Sequence, residues 1–136
     1  MINIFNEIYT ALVNALSTDE KTSTLGVENS SVYVNMPSKY PFVSMEEIDN
    51  SVYEKGSDCC EVENFANVYY EVNIYTRDPL KKTNGNTIAE VVDNLLKSYG
   101  FVREYKNPIQ SSDETIYRII MRYHGVVSKD HTIYRR

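Results

Sequence analysis

Between Asn64 and Tyr99 the chain changes its hydrophobic period, and that change limits what the remainder can be. Ala66, Val68, Tyr70, Val72 and Ile74 alternate with Asn67, Tyr69, Glu71, Asn73 and Tyr75, the period of two that marks a half-buried strand. After Asp78-Pro79, Ile88, Val91, Val92, Leu95, Leu96 and Tyr99 recur at three- and four-residue spacing, the apolar stripe of an amphipathic helix. A strand needs neighbours, and a helix of this length is marginal in water without packing. The rest of the chain must therefore bring further strands to the same core.

The flanking segments supply them. Phe5, Ile8, Tyr9, Leu12 and Leu16 trace one helical face, and the polar, turn-prone run Ser17 to Gly26 predicts that this helix stops near Ser17. Val32, Tyr33, Val34 and Met36 predict a short strand ended by Pro37. Phe42, Val43, Met45 and Ile48 predict another. Asp49 to Glu63, with Lys55-Gly56-Ser57-Asp58 at its tip, reads as the mobile acidic arm of a long hairpin. Gly100 stands where a left-handed helix cap belongs, and Phe101 to Tyr105 resumes extended chain. Lys106 to Glu114, with Pro108, reads as a loop. In Thr115 to Val127, Tyr117, Ile119, Met121 and Tyr123 alternate with Arg118, Ile120, Arg122 and His124, one face core and the other basic, with His124 exposed. A polar tail covers about residues 128–136. The order helix, strand, strand, strand, helix, strand, strand predicts a single α+β domain over residues 1–136. Its mostly antiparallel sheet has four to five strands, with two helices packed against it.

Composition narrows the class. Of 136 residues, 42% are hydrophobic and 24% charged, ordinary globular usage that argues against wholesale disorder. No apolar run approaches the ~20 residues of a membrane span, and Met1 to Glu7 lacks the basic flank and apolar core of a signal peptide. The expected compartment is the cytoplasm where the chain is made. Cys59 and Cys60 are adjacent, with Cα atoms about 3.8 Å apart, too close for an ordinary disulfide between them. With no Cys or His nearby they also lack the spacing of a structural zinc site.

A search for chemistry returns little. His124 and His131 lie in no nucleophile signature, and the five glycines are isolated, so no phosphate-cradling loop is present. Glu104-Tyr105-Lys106 has the acid-x-lysine spacing of metal-dependent nucleases, but the second acid should come from a neighbouring strand, and Asp93, upstream, reads as helix. Arg103, Lys106, Arg118, Arg122, Arg135 and Arg136, with Tyr105, Tyr117 and Tyr134 interleaved, resemble a nucleic-acid patch. The acidity of the first hundred residues opposes it. The reading is a non-enzymatic chain with no catalytic, cofactor-binding or metal-ligating residues; a small metal-dependent nuclease and a monomeric host-directed binding module are the alternatives from other classes.

Charge is polarised along the chain. Residues 1–100 hold 15 acidic and 7 basic residues, a balance of −8, whereas residues 101–136 hold 4 acidic and 7 basic, a balance of +3. The acidic excess is densest over Glu46, Glu47, Asp49, Glu54, Asp58, Glu61 and Glu63, faced only by Lys55. Tyrosine is frequent, 12 residues against four phenylalanines and no tryptophan, and tyrosine suits surfaces buried on one side and wet on the other. Glu46, Glu47, Glu54, Asp58, Glu61 and Glu63, with Tyr69, Glu71 and Tyr75 on the outer side of the organising strand and Arg118 and Arg122 on the last strand, are the candidate subunit or partner interface.

Four stretches together resemble the tail terminator, or tail completion, proteins of long-tailed bacteriophages. These are Tyr40-Pro41-Phe42-Val43 in an early strand, the strand end Glu71-Val-Asn-Ile-Tyr-Thr-Arg-Asp78, a helix closing on Tyr99-Gly100-Phe101, and Tyr117-Arg118 opening a Tyr/Arg-rich last strand. The likeness spans about Phe5 to Val127. It departs at Cys59-Cys60 and at Asn84-Gly85-Asn86, which reads as a break early in the second helix. The resemblance implies a hexameric ring of identical subunits that caps the tail tube and meets the head connector or neck proteins, leaving room for DNA to pass. It implies a place in the virion at the head–tail junction after assembly in the host cytoplasm, with no catalytic residue, cofactor or membrane partner. A head-completion or other neck protein is the alternative within the same class. A head-to-tail ring needs two different complementary surfaces, and the polarised charge offers a pair.

Overall fold

The computed structural model describes residues 3–20, 22–31, 37, 39–52, 65–77, 80–109, 115–128 and 133–134. The expected strand at Val32 to Met36, the cysteine pair and most of the acidic arm lie outside the described residues.

Helix α1 spans Phe5–Thr18 and buries Ile8, Leu12 and Leu16, one residue per turn. The Phe5 amide donates to Asn3 Oδ1 at 3.0 Å, a side-chain partner for one of the free amides at the helix start. Beyond the helix, the buried Thr22 hydroxyl donates to the Leu16 carbonyl at 2.7 Å, and Gly26 turns the chain at φ +66°, a left-handed value that glycine adopts without steric cost. Strand β1 is Glu28–Ser30, β2 Phe42–Val52 and β3 Phe65–Arg77. Helix α2 is Lys81–Ser98, followed by β4 Val102–Ile109, β5 Ile116–Ser128 and the two-residue β6, Ile133–Tyr134.

The sheet order is β1-β2-β3-β5-β4, with β6 beside the far end of β5. All pairings are antiparallel except β1 on β2, so this is the expected α+β fold with one parallel edge. Strands β3 and β5 form an unbroken ladder from Phe65 opposite Ser128 to Arg77 opposite Ile116. Strand β4 therefore runs parallel to β3 with β5 inserted between them, and α2 makes the crossover.

Both helices pack on one face of the sheet. Ala66, Val68, Tyr70, Val72 and Ile74 from β3, Ile119, Met121 and Tyr123 from β5, and Val43 and Met45 from β2 are all fully buried there. They meet Ile8, Leu12 and Leu16 of α1 and Ile88, Val92 and Leu96 of α2. The Phe5 ring sits edge-on to Tyr70 at 5.6 Å, and Phe101 closes the other side at 5.2 Å. The end of α2 is built as expected: Gly100 has φ +99°, its amide donates to the Lys97 carbonyl, and the Phe101 amide donates to the Leu96 carbonyl, both at 3.0 Å. This six-to-one pattern lets a helix stop while its last carbonyls stay bonded.

Several expectations are corrected. Helix α2 runs through Asn84-Gly85-Asn86 without a break. Gly85 is buried, and a Cβ there would lie 2.9 Å from Tyr117 Cδ2 and 3.2 Å from Thr76 Oγ1, so the glycine permits close approach of helix to sheet. Residues Lys106–Ile109 are strand and not loop; β4 is an edge strand, where Pro108 is tolerated. Strand β2 continues to Val52, so Asp49 to Val52, read as the start of the arm, pair with β3.

Candidate functional site

The face of the sheet away from the helices carries the residues that the sequence singled out. Alternation sends Asn67, Tyr69, Glu71, Asn73 and Tyr75 of β3 outward, and the ladder sets them opposite Val126, His124, Arg122, Ile120 and Arg118 of β5. Tyr69, Glu71, Tyr75, Arg118 and Arg122 are thereby brought together. Glu46 joins them from β2 opposite Glu71, whereas Glu47 faces Tyr70 on the helix side and accepts a hydrogen bond from Asn50 Nδ2 at 3.0 Å. Glu54, Asp58, Glu61 and Glu63 lie outside the described residues.

The outward side chains lie flat and cover one another. Arg118 sits 5.3 Å from the Tyr75 ring centroid, and its Nη2 donates to Asn73 Oδ1 at 2.9 Å. Arg122 sits 4.9 Å from the Tyr69 centroid and bridges to Glu104 Oε1 of β4 at 2.8 Å. The His124 ring stacks on Tyr69 at 4.4 Å, and its Nε2 lies 3.0 Å from Asn67 Oδ1. Phe42 leans on Tyr75 at 6.2 Å. Long arginine stems and flat rings contribute cover on this side, where neither helix lies: Asn73 is fully buried, Tyr75 is 3% exposed and His124 6%. His124, expected to be a solvent-exposed side chain, is thus a buried and stacked one. Tyr69, Glu71, Arg118 and Arg122 remain half-buried.

The nuclease alternative depends on Glu104 and Lys106 converging with a second acid. In a straight strand residues two apart share a face, but a bulge between Arg103 and Tyr105 shifts the register of β4 on β5. Glu104 turns outward to Arg122, while Lys106, opposite Met121, turns to the helix side and donates to Asn86 Oδ1 at 3.0 Å. Asp93 is on that side too, accepting from the Tyr123 hydroxyl at 2.8 Å and paired with Arg103 at 3.2 Å. It lines a groove of about 260 Å³ between α2 and β4 with Asn86, Ala89, Glu90, Arg103 and Lys106. Glu104 and Lys106 are held on opposite faces. Among the described residues no group of three or more His, Cys, Asp or Glu is placed to hold a metal, and no described helix is long and apolar enough to cross a membrane.

Buried tyrosines mark the helix side. Burial pushes the Tyr123 hydroxyl well above the ordinary phenol range, reinforced by its hydrogen bond to Asp93. Burial does the same to Tyr70, with Glu47 and Glu7 adding to it.

Sequence reasoning missed Glu104 as a member of the outer face, and it missed the contacts that bury Asn73 and His124 there. Asn73 and His124 were legible as outward positions, but their contacts follow from the register of β3 on β5. The placing of Glu104 follows from the bulge.

No protein-family model matches the chain, and no curated protein matches it. Its fold is similar to that of a chain in the virion of a native gene transfer agent particle. The two share 13% sequence identity at a TM-score of 0.58, over 85% of this chain and 90% of that one.

Proposed function

We propose that this chain is a non-enzymatic structural protein of a tailed phage or phage-like virion, forming a ring that closes the tail tube and meets the head connector. The observation that carries the proposal is the similarity of nearly the whole fold to nearly the whole of a chain in an assembled gene transfer agent virion. The site supports it. The outer sheet face offers a mosaic of tyrosine and arginine, residue types enriched where proteins bury surface against one another, and among the described residues it gathers no group of His, Cys, Asp or Glu placed to hold a metal. Partners in this reading are further copies of the chain, six by analogy with tail terminators, together with the tube protein and the connector or neck proteins. DNA passes through the ring without sequence readout. The chain assembles in the host cytoplasm and ends in the virion at the head–tail junction.

The test is to mix purified protein with tail tubes and with isolated connectors, then to image by negative stain and weigh particles by mass photometry. Rings on tube ends are expected. A species of only 15.7 kDa in every mixture overturns the proposal. Binding to connectors but not tubes moves the chain to a head-completion station.

A further inference from the structure

Strand β4 ends the strand order and, among the described residues, is paired on one side only, by β5. All eight of its residues are exposed, among them Val102 at 43%, Tyr105 at 37% and Ile109 at 36%. The register sets Val102, Tyr105, Asn107 and Ile109 opposite His124, Arg122, Ile120 and Arg118 on the outer side, and Lys106 and Pro108 opposite Met121 and Ile119 on the helix side. Helix α2 stands back from this edge across a groove of about 260 Å³. An edge strand with apolar side chains and a row of open backbone groups is a template for pairing with another chain.

Beyond the bulge at Arg103/Tyr105, the pattern of β4 is the same read in either direction. Tyr105 and Ile109 are apolar and outer, Lys106 and Pro108 lie on the helix side, and Asn107 is the centre. A second copy turned about a twofold axis through Asn107, perpendicular to the sheet, keeps outer side beside outer side. It sets Tyr105 of each copy opposite Ile109 of the other, an aromatic and β-branched pair of the kind that stabilises antiparallel sheets. Other registers fail for stated reasons. Centring on Lys106 sets two lysines directly opposite each other, and centring on Pro108 sets two prolines there, without backbone donors. Centring on Tyr105 places the bulge inside the joint, and a shift by one residue turns outer side chains against helix-side ones.

We infer that two free copies of this chain pair antiparallel through β4, about a twofold axis at Asn107, into one continuous sheet. The inference does not rest on the ring reading. An isologous contact uses the same patch on both copies and leaves neither open, so association through it stops at two, and a ring must use other surfaces. The joint spans Tyr105 to Ile109 alone, against about 20–30 residues a side in a standard interface. The dimer is therefore weak. It covers the apolar edge in concentrated free protein and gives way where a larger interface competes for the chain.

The experiment uses the full chain with Cys59→Ser and Cys60→Ser. One variant adds Asn107→Cys and a second adds Asn94→Cys, an exposed position on α2. Across the twofold axis the two Cα atoms at position 107 stand about 4.5–5.5 Å apart, within reach of a disulfide. Under mild oxidation Asn107→Cys is expected to form linked dimers about tenfold faster or more than Asn94→Cys, because pairing raises the effective concentration of its thiols. Sedimentation of the reduced protein should move toward twice 15.7 kDa as concentration rises. Tyr105→Lys in the Asn107→Cys chain should abolish both signals, and Ile109→Glu added to it should restore them, because positions 105 and 109 of opposite copies meet at each end of the joint. Linking of Asn107→Cys no faster than that of Asn94→Cys, or a monomer at every soluble concentration, overturns the joint.

Discussion

The guanidinium of Arg122 lies 4.9 Å from the ring centroid of Tyr69, one strand away. The same side chain bridges to Glu104 on the strand beyond, so a residue expected to offer free positive charge is already engaged within its own subunit. Arg122 and Glu104 are both about one-third exposed, which keeps the ion pair modest. Arg122→Ala is expected to cost about 1 kcal/mol in urea unfolding, the sum of a weak ion pair and a partly desolvated cation–π contact. A double-mutant cycle with Glu104→Ala should return a coupling of about 0.2–1 kcal/mol. A coupling of zero would mean that the ion pair adds nothing to stability in solution.

Gly85→Ala sets two effects against each other. Alanine favours the helix by about 1 kcal/mol over glycine, but its methyl would stand 2.9 Å from the Tyr117 ring and 3.2 Å from Thr76 Oγ1, which donates to the Lys81 carbonyl at 2.7 Å. Both neighbours are packed, so overcrowding of about 1–3 kcal/mol should prevail and lower stability. In a Tyr117→Ala background the same change should become neutral or stabilising. Stabilisation in the unaltered chain would show that α2 can move off the sheet at little cost.

Much of the fold was legible because strict periods leave few options. The alternation from Ala66 to Ile74 and the stripe from Ile88 to Leu96 both bury the faces they announce, although Tyr99, counted in that stripe, stands at the end of the helix and is 42% exposed. What periodicity does not encode is contact between elements. Gly85 reads locally as a helix breaker, and only the Tyr117 ring against it explains its presence. Pro108 reads as a loop residue, and only the place of β4 at the sheet edge makes it a strand residue. The bulge at Arg103/Tyr105 leaves no mark in the residue pattern, yet it separates Glu104 from Lys106. Alternation likewise assigned His124 and Tyr75 to the outer face correctly but said nothing of the arginines and rings that bury them.

Stability should fall in alkali through the two core tyrosines. Their folded-state hydroxyls are held above the unfolded value near 10, so above that pH the unfolded chain has released protons that the native chain keeps. The stabilisation is complete below pH 10 and is lost as pH rises through the folded values, by about 1.4 kcal/mol per pH unit for each tyrosine. At neutral pH the two differ. The Tyr70 hydroxyl is buried with no hydrogen-bond partner among the described residues, so Tyr70→Phe should be neutral or stabilising by up to about 1 kcal/mol. Tyr123→Phe forfeits the bond to Asp93 and should cost about 1.5–3 kcal/mol. Urea titrations at pH 7, 10 and 11 on both variants check the sign and the slope.

With Glu104 and Lys106 on opposite faces, the protein should not cut single- or double-stranded DNA with Mg²⁺ or Mn²⁺, measured on gels at high protein concentration. Glu104→Ala should change stability slightly and nothing else. Cutting that Glu104→Ala abolishes would require the β4 bulge to rearrange and would restore the nuclease reading.

Charge reversal at Arg118 is a poor probe of assembly, for a reason visible in its contacts. Its Nη2 donates to the Oδ1 of Asn73, which is fully buried, and its guanidinium covers Tyr75, which is 3% exposed. Arg118→Glu would set a carboxylate against a carbonyl oxygen and over the negative face of a ring, and should cost about 2–4 kcal/mol of stability. Arg118→Gln keeps a donor for Asn73 and removes the charge, so it should fold within about 1 kcal/mol of the unaltered chain. Ring formation on tail tubes can then be compared at equal stability. If Arg118 faces an acidic neighbour across a subunit boundary, Arg118→Gln should weaken assembly and flatten its dependence on salt, because one screened attraction has been removed. If assembly and salt dependence are both unchanged while Tyr69→Ser abolishes rings, the rings of this face, and not its charges, make the contact.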